Sequence, residues 1–192
     1  PSEVAAPGRD WRSKLEDALK LPRVVAVGEI GLDYFHRYGD KDSQVELFID
    51  QLDLATRHDL PVVIHNREAG KDVLDVLRDH LPPAGGVMHC YSENAEYAIR
   101  ALELNLYFSF AGNLTYRNAK NLHETVRVLP LDRILVESEA PFMVPSKYRG
   151  KRNVPEYLPA TVDDLAMLLD MPVEEVAEAT YQNACRFFRV QP

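Results

Sequence analysis

The chain has 192 residues, 46% of them apolar and 27% charged, which is the composition of one globular domain with its own core. It contains no apolar run near the roughly 18 residues of a membrane-spanning helix, so no membrane segment is predicted. The formal charge of −8 excludes a general basic surface for nucleic acid, so a phosphate substrate must be held locally, by a metal or a few arginines.

The cysteines and the amino-terminal sequence are the features that predict where in the cell the protein lies. Cys90 and Cys185 lie far apart in apolar patterns, which favours reduced thiols and a cytoplasmic protein. The amino end lacks the pattern of a secretory signal. Because the first residue is Pro1 rather than methionine, we expect a processed amino terminus or a piece of a longer polypeptide.

Helices and strands are predicted to alternate after a flexible leader at residues 1 to 9. The predicted helices cover 10–20, 43–58, 69–81, 94–104 and 117–129. The predicted strands cover 24–29, 61–66, 86–92, 106–112 and 134–138. A functional loop over 142–160 is predicted to precede two closing helices, the first of them capped by Thr161.

This alternation predicts an α/β fold with a parallel sheet and helices outside it. A closed (β/α)8 TIM-barrel typically needs about 250 residues and at least about 200. We therefore predict one domain, residues 1–192, that forms an incomplete (β/α)8 barrel of about five to six strands.

The run VVAVGEIGLDY at 24–34 places two carboxylates among strand-forming residues. Glu29 follows four small apolar residues, so a buried carboxylate is predicted that needs a metal, a cation or hydrogen-bond donors. Asp33 follows four residues later, in the spacing E-x-G-x-D. The end of a strand is where α/β sheets and barrels carry their chemistry.

Polar side chains end each convincing strand except 106–112: Glu29 and Asp33, His65 and Arg67, His89, and Glu137 and Glu139. Because the ends of parallel strands converge on one mouth, a mixed nitrogen and oxygen ligand set is predicted there. Such a set suits a divalent metal, Mg, Mn or Zn, which lowers the pKa of water and polarises a phosphoryl oxygen. Hydrolysis is the reaction class that follows.

Three further residues are predicted to contact substrate. Arg67 lies two residues after His65, and its guanidinium matches the geometry of phosphate. Asn153, in the long loop, is predicted to add a hydrogen bond, and Tyr91 to form a wall of the site on the same face as His89.

Structural interpretations stay open beside these. Glu29 could pair with a buried arginine, and His65 and His89 could each be core histidines with satisfied hydrogen bonds. Arg67 could be a surface charge. Glu137 and Glu139 share a face by their spacing of two, so one could bind a metal while the other orients it.

Several segments together resemble the TatD family of metal-dependent deoxyribonucleases: GEIGLDY at 28–34, PVVIHNREA at 61–69, GVMHCYS at 86–92, ILVESEAPFMVP at 134–145, RGKRNVPEYLP at 149–159 and the closing YQNACRFF. The resemblance implies a metallo-dependent hydrolase of the amidohydrolase type with one or two divalent metals. It also implies DNA as substrate, single-stranded or at ends and degraded from the 3′ end, with DNA repair as a setting.

By the same resemblance Glu29, His65, His89 and Glu139 are expected to bind metal, with Glu139 and Glu29 also in the catalytic role. Glu139 stands where the family usually has an aspartate, which lengthens the arm by one methylene. The family's amino-terminal H-x-H pair has no counterpart among the six histidines. The chain is thus expected to be the carboxyl-terminal part of a longer protein or a shortened relative with a partial site.

Two rival functions stay open. One is a hydrolase of small phosphoesters or amides, and the other is a scaffold or binding module without catalysis. An open barrel leaves sheet edges uncovered, so a homo-oligomer or a missing amino-terminal segment is expected to cover them.

Overall fold

A computed structural model describes residues 8, 10–36 and 38–191. It divides into two compact units: the first contains the described residues up to Met88 together with Phe188–Val190, and the second contains His89–Phe187 and Gln191. The predicted leader at 1–9 lies outside the described residues apart from Gly8. Within the described part of the chain, no helix is both long and apolar enough to cross a bilayer.

The first unit alternates helices with three parallel strands. Its elements are α1 Trp11–Leu19, β1 Val27–Asp33, α2 Lys41–Arg57, β2 Val62–Arg67, α3 Gly70–His80 and β3 Gly86–Met88. β2 lies between β1 and β3, with Val27 opposite Val62 and Ile64 opposite Met88. Ile30, Leu32 and Ile64 are buried with the apolar faces of α2 and α3, and this packing forms the core of the unit.

The first strand lies further along the chain than the sequence predicts. It begins at Val27 and continues through Asp33, whereas the prediction placed it at 24–29. Val25 is 38% exposed, so the valine run before β1 is not covered on both faces. The prediction that Glu29 is buried is therefore wrong, since its side chain is 48% exposed.

β1 and β2 approach closely at Gly31, whose φ of +142° lies in a region that favours glycine. A Cβ at this position would lie 2.0 Å from the backbone oxygen of His65. The backbone of His65 thus depends on the absence of a side chain at residue 31.

The side chain of Gln44, which lies on α2, forms hydrogen bonds with the end of β1. Its buried side chain accepts the backbone N–H of Asp33 at 2.8 Å and donates to the backbone oxygen of Asp33 at 3.0 Å. Removing one partner from a buried hydrogen bond costs the desolvation of the group left behind.

We expect Gln44→Ala to lower the free energy of unfolding by about 2 kcal/mol, because it leaves both backbone groups of buried Asp33 without this partner. Urea unfolding followed by circular dichroism measures the change. Glu46→Ala, at an exposed position of the same helix, is the matched control and should change stability by less than about 0.5 kcal/mol. Equal effects of the two variants would contradict this role of Gln44.

The second unit contains two parallel strands and four α-helices: α4 Ala95–Leu102, β4 Tyr107–Phe110, α5 Lys120–Val128, β5 Ile134–Val136, α6 Leu158–Leu169 and α7 Val173–Phe188. Phe108 lies opposite Ile134 in the paired strands. Asn183 of α7 donates hydrogen bonds to the backbone oxygens of Leu131 and Ile134, which fixes the helix beside the start of β5.

Two boundaries in this half of the chain differ from the prediction. The strand predicted over 86–92 ends at Met88, and Cys90 has a φ of +42°, so the alternation of faces along a strand stops before His89. α6 begins at Leu158, with Pro159 in its first turn, so Thr161 lies inside the helix and the predicted cap there is wrong.

Candidate metal centre

His65 lies between two carboxylates in the first unit. Its Nε2 is 3.0 Å from Oδ2 of Asp33, and its Nδ1 is 3.4 Å from Oε2 of Glu29. Asp33 is 1% exposed, whereas Glu29 is half exposed at the surface of β1. The geometry thus separates a buried acid that orients the imidazole from an exposed acid that is accessible to a cation.

Asp33 is held as a carboxylate by its neighbours. Burial by itself raises the pKa of Asp33, but hydrogen bonds from the backbone and ring of His36 and from the ring of His65 outweigh burial and keep this pKa below its ordinary value. The backbone N–H of His36 lies 2.8 Å from Oδ1 of Asp33. Asp33 therefore stays charged at neutral pH and fixes the orientation of His65.

The second unit contains a similar arrangement around His89. Nδ1 of His89 is 3.2 Å from Oε1 of Glu137 and 3.8 Å from Oε2 of Glu139. One ligand atom from each of these three residues lies within 4.8 Å of the other two, which is close enough for a single ion. The imidazole is only 9% exposed, and both of these acids lie within 4 Å of its Nδ1.

Glu137 accepts hydrogen bonds from several groups of the second unit. Burial raises the pKa of Glu137, but hydrogen bonds from His89, from Ser109 and from the backbone N–H of Cys90 hold this pKa below its ordinary value. The Cys90 N–H lies 3.1 Å from Oε1 of Glu137. Glu137 thus orients His89 as Asp33 orients His65.

Asn153 anchors the segment that carries Glu139. Its buried amide nitrogen donates to the backbone oxygens of Ser138 and Phe142, and its backbone N–H donates to that of Pro141 at 3.3 Å. Glu139 has a φ of +52°, a left-handed conformation that costs a residue other than glycine about 1 kcal/mol. The hydrogen bonds of Asn153 offset this cost.

Two predicted substrate contacts have distinct surroundings. Arg67 ends β2 and lies over the ring of Phe35, 5.0 Å from its centroid, and Phe35 is 52% exposed. Tyr91 is 2% exposed, its hydroxyl donates to the backbone oxygen of Asn94, and its ring contacts those of Phe108 and Phe110. The position of Arg67 leaves it accessible to a ligand, whereas that of Tyr91 favours packing in the core of the second unit.

Sequence reasoning placed Asp33 and Glu137 at strand ends and left open which of Glu137 and Glu139 binds metal, but it included neither Asp33 nor Glu137 among the predicted metal ligands. A signal was present, because each acid lies at or just after the end of a strand, close in sequence to a second carboxylate. Spacing alone does not show which acid of a pair is buried. That distinction comes from the donors around Asp33 and Glu137.

The donors fit a divalent metal. Imidazole nitrogen combined with carboxylate oxygen is the set that Zn and Mn accept, and carboxylates serve Mg. In the second unit two carboxylates stand against one histidine, so the group favours a cation electrostatically.

Comparisons with known proteins agree with this chemistry. The chain matches the family model described as TatD related DNase over residues 1–189. The uncharacterized metal-dependent hydrolase YabD of Bacillus subtilis is 44% identical over 169 residues, which are 88% of this chain and 66% of that protein. The uncharacterized metal-dependent hydrolase YcfH of Escherichia coli is 40% identical over 168 residues, 87% of this chain and 63% of YcfH. The chain thus spans about two thirds of the length of these curated relatives.

Solved structures support the same assignment. The crystal structure of YJJV, a TatD homologue from Escherichia coli, superposes with a TM-score of 0.89 at 34% identity and covers 96% of this chain and 72% of that one. An uncharacterized amidohydrolase from Saccharomyces cerevisiae has a TM-score of 0.81 at 17% identity over 96% of this chain and 73% of its own, and shows the fold alone. The predicted fold class, α/β with an incomplete (β/α)8 barrel, is confirmed, and the chain belongs to the TatD family.

Proposed function

We propose that this chain forms part of a metal-dependent hydrolase that cleaves the phosphodiester bonds of DNA, as a deoxyribonuclease acting from the 3′ end. The observation that carries the proposal is the group of His89, Glu137 and Glu139, which brings three metal-capable side chains together. The family description, TatD related DNase, supports DNA as the substrate class. The names of the two curated relatives support a metal-dependent hydrolase.

For the metal we propose Glu29, His65, His89 and Glu139 as ligands of one or two divalent ions, Mg, Mn or Zn. Asp33 and Glu137 orient the two histidines through the hydrogen bonds described above. A bound divalent ion would lower the pKa of water and polarise a phosphoryl oxygen. Glu139 or Glu29, as a carboxylate that lies beside a histidine, accepts the proton that the attacking water loses.

For the substrate we propose a contact at Arg67 and Phe35. The guanidinium offers paired donors to a phosphate, and the half-exposed ring offers a face for a base of an unpaired strand. Asn153 acts on the substrate indirectly, through the segment that it anchors. The burial of Tyr91 argues against its predicted contact with substrate.

We also propose a cytoplasmic location and a role in DNA repair, in keeping with the reduced cysteines and the DNA substrate. We propose that residues 1–192 form one domain whose open edge is covered by a second copy or by an amino-terminal segment. The greater length of the relatives supports the amino-terminal segment.

The test measures metal content by elemental analysis and hydrolysis of a single-stranded DNA oligonucleotide labelled at its 5′ end. We expect at least one metal per chain and a ladder of products shortened from the 3′ end, which a chelator abolishes and added Mn²⁺ restores. Cleavage of a small phosphoester without cleavage of DNA would favour the small-substrate hydrolase, for which the net charge of −8 is no obstacle. Absence of bound metal at millimolar Mn²⁺ would contradict the proposal.

A further inference from the structure

A short segment of the second unit concentrates positive charge. Residues 146–153, here called the basic loop, read SKYRGKRN and contain four cations, all of them exposed: Lys147, Arg149, Lys151 and Arg152. The whole chain has 22 Lys and Arg against 30 Asp and Glu, so this density is a local exception. An acidic protein that binds a polyanion must do so through such a local patch.

The four cations are not neutralised by acids of the described residues. Within that part of the chain, none of the four lies in an ion pair, whereas cations elsewhere, such as Arg189 with Asp59, do. Lys147 lines a cavity that Asp163 and Asp164 also line, so these two acids border the basic loop on one side. The charges of the basic loop are therefore available to a ligand.

The basic loop is anchored at both ends. The backbone N–H of Ser146 donates to Oγ1 of Thr115 at 2.7 Å, and the Ser146 hydroxyl donates to the backbone oxygen of Thr115 at 2.8 Å. At the other end, the side-chain amide of Asn153 donates to the backbone oxygens of Ser138 and Phe142. Anchoring of this kind reduces the entropy that ordering the loop would cost on binding.

An aromatic pair stiffens the middle of the loop. Tyr148 stacks on Tyr157 with ring centroids 3.8 Å apart and planes 9° apart. The ammonium groups of Lys147 and Lys151 each lie 5.8 Å from the centroid of the Tyr148 ring, within the range of a cation–π contact. Gly150, with a φ of +86°, turns the chain between the two pairs of cations. The stacked rings, the cation–π contacts and the turn thus give the charged residues of the loop a defined conformation.

We infer that the basic loop binds the phosphate backbone of a single strand of DNA. This inference rests on the proposed function for the choice of DNA, and it assigns the surface that compensates for the acidic remainder of the chain. Lysine and arginine contacts to phosphates position a strand without reading its sequence. Because Asn153 joins the basic loop to the segment that carries Glu139, a strand held by the loop lies next to that segment.

The test measures binding of a fluorescein-labelled twelve-residue oligothymidylate to the 192-residue chain by fluorescence anisotropy, in EDTA, from 20 to 200 mM NaCl. Four phosphate contacts predict a slope near −3 for the logarithm of the association constant against that of the salt concentration, at about 0.7 per contact for single strands. The double variant K147Q/K151Q should reduce the slope by about 1.4 and weaken binding about 25-fold at 0.1 M salt.

The matched control is K120Q/R127Q, which removes the same charge from exposed positions of α5 in the same unit. It should weaken binding less than twofold. The second loop variant, R149Q/R152Q, repeats the test at the other two cations, and circular dichroism verifies that each variant is folded. If both loop variants bind like the α5 control, or keep the slope of the unmodified chain, the inference is overturned. An oligouridylate should bind within a few fold of the DNA, and failure to bind it would overturn the backbone contact.

The experiment separates this inference from the proposed function. Binding is measured in EDTA, where no metal-dependent hydrolysis takes place, so a chain without nuclease activity can still bind through the loop. A chain that hydrolyses DNA with unchanged affinity in both loop variants would leave the proposed function intact and contradict the basic loop alone.

Discussion

The His89→Ala variant is expected to lose metal binding and hydrolysis together. His89 supplies the only nitrogen ligand in the group it forms with Glu137 and Glu139, and its side chain is almost completely buried. Loss of a residue that orients a ligand typically costs 10- to 100-fold in metal affinity, so loss of the ligand itself should cost more than about 100-fold. Titration with Mn²⁺ followed by calorimetry measures the affinity, and the labelled oligonucleotide measures the activity.

His58→Ala is the control for this variant. His58 lies at the carboxyl end of α2 and is not one of the proposed metal ligands. It should bind metal and cleave DNA like the unmodified chain. Glu137 loses a hydrogen-bond donor in His89→Ala, so this variant is also tested for folding. His89→Asn, which keeps a polar side chain, is the second variant. Unchanged metal affinity in a folded His89 variant would contradict the assignment of this ligand.

Asn153→Ala is expected to reduce metal affinity and DNA cleavage by 10- to 100-fold although every proposed ligand residue is still present in the sequence. The substitution removes both side-chain hydrogen bonds to the backbone oxygens of Ser138 and Phe142, so the intervening Glu139 is no longer held in its left-handed conformation. It should also lower the free energy of unfolding by about 2 kcal/mol, because these oxygens lose a donor. Metal titration and urea unfolding measure the two effects separately.

Asn121→Ala provides the matched comparison in the same unit. The exposed Asn121 side chain donates to the backbone oxygen of Ser92 at 3.1 Å, away from the segment of Glu139. This variant should leave metal affinity unchanged and stability within about 0.5 kcal/mol. If Asn153→Ala, once folded, binds metal as tightly as Asn121→Ala does, then Asn153 has no role in positioning Glu139.

The alternation of strands and helices was predictable from sequence, because apolar periodicity and the breaks at Pro82 and Gly85 separate the elements. The concentration of polar residues at strand ends was predictable for the same reason. The family resemblance, from motifs such as GEIGLDY, was confirmed.

The local geometry of the site was not predictable. The valine run before Glu29 has the composition of a buried strand, yet tertiary packing starts β1 at Val27 and leaves the Glu29 side chain half exposed. Tyr91 was placed beside His89 by strand alternation, but the strand ends at Met88 and a positive φ at Cys90 changes the direction of the chain. The structural role of Asn153 depends on oxygens 11 and 15 residues away, which no local pattern encodes.

The close approach at Gly31 limits which point mutations this chain tolerates. A single nucleotide change from a glycine codon to an alanine codon would add one methyl group, and that methyl would collide with the carbonyl of His65. Every proposed ligand would still be encoded, yet the imidazole of His65 would be displaced from Asp33 and Glu29. A survey of variants that inspects only metal-capable side chains would therefore miss this class of inactivating change.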